Sequence, residues 1–251
     1  MAGQRPFAVS IAGLDPSAGA GILADIKCFE QHRVYGFGIC TALTVQTDSD
    51  FISNEWLGID KIIAQLEPLV EKFRIMACKI GLIKDLPELE HLIRYLRRKT
   101  PDIKIVVDPI LEASAGYSFH NWGNILERMR PVLHMIDLLT PNYPEMEAIG
   151  GRLKVEEAAK IWSGSCPILL KGGHNSAERG TDYLFEGEEV HAFRSDLLLA
   201  HAKHGSGCVL SASVTANLAL GHSVFASCGL AKTYINHFLN SHKSPLGYHS
   251  L

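Results

Sequence analysis

Short apolar runs alternate with amphipathic stretches along most of the chain, the pattern of successive βαβ units. Phe7–Gly13 reads as a buried strand, and Gly21–His32 as a helix with Ile22, Ile26 and Phe29 along one face. Phe37–Val45, rich in Thr, Ile and Val, predicts a second strand. Asp60–Phe73 predicts a helix whose stripe is Ile62, Ile63, Leu66, Leu69 and Val70. Ile75–Gly81 is strand-like, and Pro87–Arg98 is a helix whose basic end suits the negative pole of the helix dipole. Ile103–Asp108 is a continuous apolar run closed by Asp-Pro, as a buried parallel strand would be. Leu126–Leu133 predicts a helix despite Pro131, Ile136–Thr140 a strand stopped by Pro141, Val155–Trp162 a helix and Ile168–Lys171 a strand. Thr181–Phe185 and Glu189–Phe193 predict a hairpin around Glu186–Glu188, and Gly207–Leu220 and Val224–Leu239 the last two helices. The expected class is α/β, with one open, mostly parallel sheet, helices on both faces, and ligands at the carboxyl ends of the strands.

The chain of 251 residues suffices for a single α/β domain over 1–251, and its 47% apolar and 20% charged residues are ordinary for a globular protein. A net charge of −3 points away from nucleic acid or an acidic membrane and toward a small-molecule partner. Phe7–Ile11 is too short for a signal-peptide core, and no stretch is long and apolar enough to span a bilayer, so a cytoplasmic protein is expected. The six cysteines, at 28, 40, 78, 166, 208 and 228, are scattered and read as reduced thiols. His201 and His204 share a helical face, but no Glu or Cys lies at zinc spacing, and no structural zinc is expected.

Chemistry concentrates at six places. His204-Gly205-Ser206-Gly207-Cys208 precedes a helix of small residues. Its glycines free the first N–H groups for an anion, and a helix N-terminus lowers a nearby thiol's pKa, so Cys208 is either a general base or a buried structural cysteine. Gly13 to Gly21 forms a glycine-rich turn after the first strand, neither a Walker A loop nor a dinucleotide fingerprint. Asp25, one turn into the next helix, either faces that loop or is solvated. Asn142 and Glu145 form an N-cap or stand near a Mg²⁺ and its waters. Lys171 and Asp108, each closing a strand, either meet phosphates or are turn residues. Gln46 has an amide able to read a ring with adjacent acceptor and amino groups.

In this order and spacing, Ala12–Asp25, Thr41–Gln46, Lys79-Ile80-Gly81, Thr140–Glu145, Lys171–His174 and His204–Cys208 resemble the hydroxymethylpyrimidine/phosphomethylpyrimidine kinase family of the ribokinase-like superfamily, from about Ala8 to Tyr234. The resemblance implies that Gly13, Asp25 and Gln46 serve the pyrimidine, and that Gly205, Ser206 and Gly207 form the anion hole beside catalytic Cys208. It places Asp108, Asn142 and Glu145 in the Mg²⁺–phosphate region and Lys171 on ATP. It also implies two successive ATP- and Mg²⁺-dependent transfers in thiamine biosynthesis, and a homodimer. Leu14 stands where members carry Ser or Thr, Ala18 where they carry Gly, Thr47 where they carry Asn, and Lys203 and Ser206 where they carry Thr. Lys203 either adds charge near the phosphates or faces water. A pyridoxal kinase is the nearest rival, and a non-catalytic pyrimidine-binding protein a rival of another class. Ser49-Asp50 and Ala113–Phe119, polar or small, are candidate mobile stretches.

Overall fold

The computed structural model describes residues 5–112, 125–175, 177–195 and 201–250. The elements are β1 (Phe7–Leu14), α1 (Gly21–Gln31), β2 (Tyr35–Gln46), β3 (Phe51–Trp56), α2 (Ile59–Lys72), β4 (Ile75–Ile80), α3 (Leu86–Lys99), β5 (Lys104–Val107), α4 (Ile125–Leu133), β6 (Leu138–Leu139), α5 (Tyr143–Gly150), α6 (Val155–Ser163), β7 (Ile168–Leu170), β8 (Asp182–Glu186), β9 (Glu189–Phe193), α7 (Ser206–Ala219) and α8 (Val224–Asn240). Among the described residues the strands form one sheet in the order β3-β2-β1-β4-β5-β6-β7-β8-β9. Strands β2, β1, β4, β5, β6 and β7 run parallel, while β3, β8 and β9 are antiparallel to their neighbours.

Side chains alternate across this sheet and divide the core in two. Val9, Ile11, Cys78, Ile80, Ile105, Val107, Leu139, Ile168 and Leu170 pack with the apolar faces of α2 to α6. The residues between them, Ala8, Ala77, Val106, Leu138 and Leu169, pack with α1, α7 and α8. Strands buried on both faces have no polar side to show, which is why β5 reads as an apolar run after Lys104, and why the one charge inside β4, Lys79, is buried and paired.

Helix α7 is buried along nearly its whole length, from Val209 to Ala219. It carries hydroxyls and an amide into the core, each with a partner. Ser211 Oγ donates to the Gly207 carbonyl at 3.0 Å, Thr215 Oγ1 to Ser211 O at 2.8 Å, and Asn217 Nδ2 to Ser213 O at 2.8 Å. Ser213 Oγ meets His32 Nε2 at 2.8 Å. Small satisfied side chains let this helix lie close to the sheet, which brings its first turn to the carboxyl ends of the strands.

One sequence expectation changes. Strand β3 was not anticipated: Phe51-Ile52-Ser53-Asn54-Glu55-Trp56 is an edge strand with a half-exposed, mixed pattern and no apolar run. Ser49-Asp50 lies in the β2–β3 turn, where Thr47 N donates to Asp50 O at 2.8 Å and Ser49 Oγ to Asp50 Oδ2 at 2.7 Å. Ala113–Phe119 lies outside the described residues. Among those described, no helix is long and apolar enough to cross a membrane.

Leu92 is fully buried in the larger core, whereas Ile161 on α6 is 54% exposed. Urea titration of Leu92→Ala should show a loss of about 2–5 kcal/mol, and Ile161→Gln a change within about 0.5 kcal/mol.

Candidate active site

Two glycine turns meet where β1 ends and α7 begins. Gly205 caps α7 in the left-handed conformation, φ +71°, and a Cβ there would lie 2.1 Å from Gly19 O. Gly21, first residue of α1, has φ +60°, and a Cβ there would lie 2.2 Å from Gly13 O. Only glycine satisfies both the dihedral and the approach. Ala18 is also left-handed, φ +57°, a conformation that costs an L-residue about 1–2 kcal/mol.

Asp15 joins the two turns. Its carboxylate accepts from Ser17 N at 2.8 Å, Ser17 Oγ at 2.9 Å, Ala20 N at 2.9 Å and His204 Nε2 at 2.8 Å. Burial works against ionisation here, but these hydrogen bonds, His204 foremost, hold the carboxyl below its usual range. Cys208 lies in the first turn of α7, partly exposed, and the Gly21 backbone N–H at the start of α1 favours its thiolate form. The N-termini of α1 and α7 therefore converge on one thiol.

The thiol does not behave as its helix position predicts. Burial pushes it above its ordinary range, Asp108 and Asp25 add to the rise, and the Lys79 ammonium and the Gly21 N–H offset only part of it. Desolvation of the thiolate outweighs the helix end, so the resting Cys208 keeps its proton.

Asp25 neither faces an open loop nor is solvated. It is fully buried, with Oδ1 accepting from Lys79 Nζ at 2.6 Å and Oδ2 from Ser10 Oγ at 2.6 Å. Burial favours the neutral forms, but the pairing with Asp25 outweighs it at Lys79, whose ammonium is held above its usual range. The pair lies beneath the α1–α7 junction, so Asp25 touches no open pocket surface.

The ends of β5, β6 and β7 assemble a second group. Lys171 Nζ donates to Asp108 Oδ1 at 2.6 Å and stands 3.7 Å from Glu145 Oε2. Thr140 Oγ1 donates to Asp108 Oδ1 at 3.1 Å and meets Ser211 Oγ at 2.9 Å. Burial works against charge on Lys171, but the carboxylates of Asp108 and Glu145 hold its ammonium above the usual range. A Cβ at Gly207 would lie 3.3 Å from that ammonium, so Lys171 overhangs the first turn of α7. Asp108 Oδ2 is buried without a hydrogen-bond partner.

Asn142 and Glu145 form a reciprocal capping box on α5: Asn142 Oδ1 accepts Glu145 N at 2.8 Å, and Glu145 Oε2 accepts Asn142 N at 2.7 Å. The cap reading thus holds for both, and Glu145 also reaches the site through Lys171. At the other edge Gln46 Nε2 donates to Thr44 Oγ1 at 2.8 Å, and Thr44 Oγ1 to the Leu14 carbonyl at 2.8 Å. Lys203 takes neither anticipated position. Its ammonium donates to the His242 carbonyl and, at 2.6 Å, to Ser244 O, tying the C-terminal segment to the loop before α7.

The structure thus brings together Gly13, Gly205, Ser206, Gly207 and Cys208, and separately Asp108, Asn142, Glu145 and Lys171, with Lys171 bridging the two groups. Asp15, His204, Lys79 and Thr140 received no role from sequence reasoning, although all four lie within the motifs that carried the resemblance.

The sheet, its two helical layers and its carboxyl-edge turns make this a ribokinase-like α/β fold. The family model described as phosphomethylpyrimidine kinase matches residues 15–250, and the chain belongs to that family. It is 33% identical over 239 residues to the hydroxymethylpyrimidine/phosphomethylpyrimidine kinase of Staphylococcus aureus strain MRSA252, covering 92% of this chain and 86% of the relative. It is similar to the crystal structure of phosphomethylpyrimidine kinase from Clostridium difficile 630, with TM-score 0.74, 27% identity and 92% and 99% coverage of this chain and that one. It is also similar to an ADP complex of Bacillus subtilis pyridoxal kinase, with TM-score 0.81, 26% identity and coverage of 96% and 93%.

Burial pushes the Glu145 carboxyl up to about 7, with Asp108 adding to the rise and Lys171 opposing it. The folded protein therefore holds a proton that the unfolded chain, with an ordinary value of 4.5, has released. Stability should fall as pH rises through that window. Glu145→Gln should flatten this part of the profile, checked by urea midpoints of both proteins at about pH 5 and about pH 8.

Proposed function

We propose that this chain transfers the γ-phosphoryl group of ATP to the hydroxymethyl group of 4-amino-5-hydroxymethyl-2-methylpyrimidine, and then to the resulting monophosphate. Family membership supports the reaction. The observation that carries the site assignment is the convergence of two helix N-termini beside Cys208, under the Lys171 ammonium. Phosphoryl transfer asks for positioning and charge neutralisation more than for covalent chemistry. In this reading the Gly205–Gly207 backbone and the first N–H groups of α7 hold the migrating group, Lys171 holds the donor phosphates, and Gln46 and Gly13 hold the ring.

The donor set fits Mg²⁺. Asp108 offers a buried oxygen with no partner, and Glu145 a second carboxylate near it. Two carboxylates make no closed cage, which suits an ion that keeps several waters and bridges phosphates. Lys79 and Lys171 are already paired with Asp25 and Asp108, so little positive charge is left over for incoming phosphates. Mg²⁺ would supply that charge, with Asp108 and Glu145 as its holders and Asn142 fixing Glu145 through the capping box.

A pyridoxal kinase remains the second reading, because the similarity to the Bacillus subtilis pyridoxal kinase is, by TM-score, 0.81 against 0.74 for the pyrimidine enzyme. The assembled Asp108, Lys171 and Cys208 speak against a protein that only binds. We read residues 1–251 as one cytoplasmic kinase domain, a reading consistent with six free cysteines. The homodimer is supported by Leu43 (43% exposed) and Val45 (52% exposed), on one face of the β2–β3 edge hairpin. Leu43→Glu should then convert a dimer to a monomer in sedimentation equilibrium; a wild-type monomer would refute it.

Cys208 takes the hydroxyl proton in this scheme, through the small ionised fraction of a thiol that rests protonated. The first transfer should therefore accelerate with pH between about 6 and 9, as that fraction grows. The second uses a phosphate oxygen already largely ionised at neutral pH and should not. Cys208→Ser should slow the first step about 10²–10⁴-fold, abolish its pH dependence and affect the second less. ATP consumption with the alcohol, the monophosphate and pyridoxal, assayed side by side, tests both activity and role. Equal loss in both steps would make Cys208 a positioning group, and turnover of pyridoxal alone would overturn the substrate assignment.

A further inference from the structure

The end of the chain returns to the active site. Helix α8 stops at Asn240, and the segment after it lies back along that helix. Tyr248 N donates to Ser241 Oγ at 2.9 Å, and His249 Nδ1 meets the Tyr234 hydroxyl at 2.9 Å. Gly247 lies so close to Phe238 that a Cβ there would be 2.6 Å from its ring. Phe238 is itself buried with residues of α1 and α7.

The same segment braces both glycine turns. His204 N donates to Pro245 O at 2.9 Å. The Lys203 ammonium donates to His242 O and, at 2.6 Å, to Ser244 O. Leu246 Cδ2 lies 3.0 Å from where a Cβ on Gly19 would sit, and Gly19 O is the atom on which Gly205 rests. Lys203 O accepts from Ser206 N at 3.3 Å, closing the turn that opens α7. One residue thus starts that turn with its backbone and reaches the C-terminal segment with its side chain. Lys203 is buried, and both of these acceptors are backbone carbonyls. Burying an ammonium on neutral acceptors is unfavourable relative to water, so stability alone gives little reason for the contact.

We propose that Lys203 is a positioning residue for phosphoryl transfer: by fastening residues 242–246 across the turn at 203–205, it fixes the Gly207 and Cys208 amides in place before the phosphates arrive. This rests on the function proposed above and deepens it, for it names what holds the anion site still. The ammonium is committed to carbonyls, so it acts through the backbone and not on the phosphates. Donors fixed in advance stabilise the transition state without reorganising, so a loosened turn lowers kcat more than it weakens substrate binding.

The test measures kcat and KM of wild type, Lys203→Met, Lys203→Arg and Gly247→Ala with ATP and the pyrimidine alcohol. Met keeps the apolar stem and removes the charge. A Cβ at Gly247 pushes the segment away, because the buried Phe238 ring has no room to yield. Lys203→Met should lower kcat about 10- to 100-fold with both KM values within about 3-fold, and Lys203→Arg should recover most of the loss. Gly247→Ala should lower kcat without altering residue 203, and the double variant should fall no further than the worse single one, as residues acting as a unit do. An unchanged kcat in Lys203→Met, a loss confined to KM, or losses that multiply in the double variant would overturn the proposal. Should the urea midpoint show that Lys203→Met folds poorly, Gly247→Ala decides: a lowered kcat supports the proposal and an unchanged one overturns it. Pyridoxal assayed in parallel separates this inference from the substrate assignment. If the wild type phosphorylates pyridoxal alone, the assignment fails and the same comparison is read on pyridoxal. A wild type that consumes ATP with neither alcohol overturns the function, and this inference with it.

Discussion

Helices α1 and α7 begin at nearly the same point, and the architecture of the site follows from that constraint. Two positive helix poles facing each other repel, and two chains cannot come this close with side chains between them. Gly205 rests on Gly19 and Ala20, and Gly21 rests on Gly13, at separations that exclude a Cβ. The buried Asp15 carboxylate relieves part of the repulsion by accepting from Ala20 N at one helix start and from His204 at the approach to the other. What remains is a pair of helix N-termini beside one thiol, an arrangement suited to an anion that arrives and leaves.

The surrounding charges keep that site nearly neutral until substrates bind. Lys79 is matched by Asp25 beneath the junction, and Lys171 by Asp108 and Glu145 above it. Such buried pairs contribute little net stability, but losing one partner leaves a charge uncompensated. They hold two ammonium groups in fixed positions, Lys79 beneath the junction and Lys171 over the first turn of α7. Helix α7 completes the arrangement, because its satisfied hydroxyls and small side chains let it lie flat on the sheet.

The parts of this picture visible in the sequence are those governed by local rules. An apolar run marked β5 because both its faces are covered, and the glycines of the two turns stood out because only glycine tolerates their geometry. Strand β3 was hidden because an edge strand shows no such run. The Asp25–Lys79 pair joins residues 54 apart, and the Asp15–His204 contact spans 189, so no spacing rule could reveal either. Cys208 was misjudged for a related reason. Its helix position is local, but the burial that raises its pKa, and the Asp25 and Asp108 charges that add to it, come from parts of the chain far away in sequence. Lys203, likewise, is directed by a C-terminal segment that its own neighbours do not announce.

The central claim is that the backbone amides opening α7 hold the phosphoryl group in flight. A crystal structure with Mg²⁺, ADP, a fluoroaluminate and the pyrimidine alcohol tests it most directly. The account predicts the planar fluoroaluminate within hydrogen-bond distance of the Gly207 and Cys208 N–H groups, with the acceptor oxygen beside the sulfur. A fluoroaluminate bound away from that helix end, or a Cys208 thiol turned away from the acceptor oxygen, would contradict it.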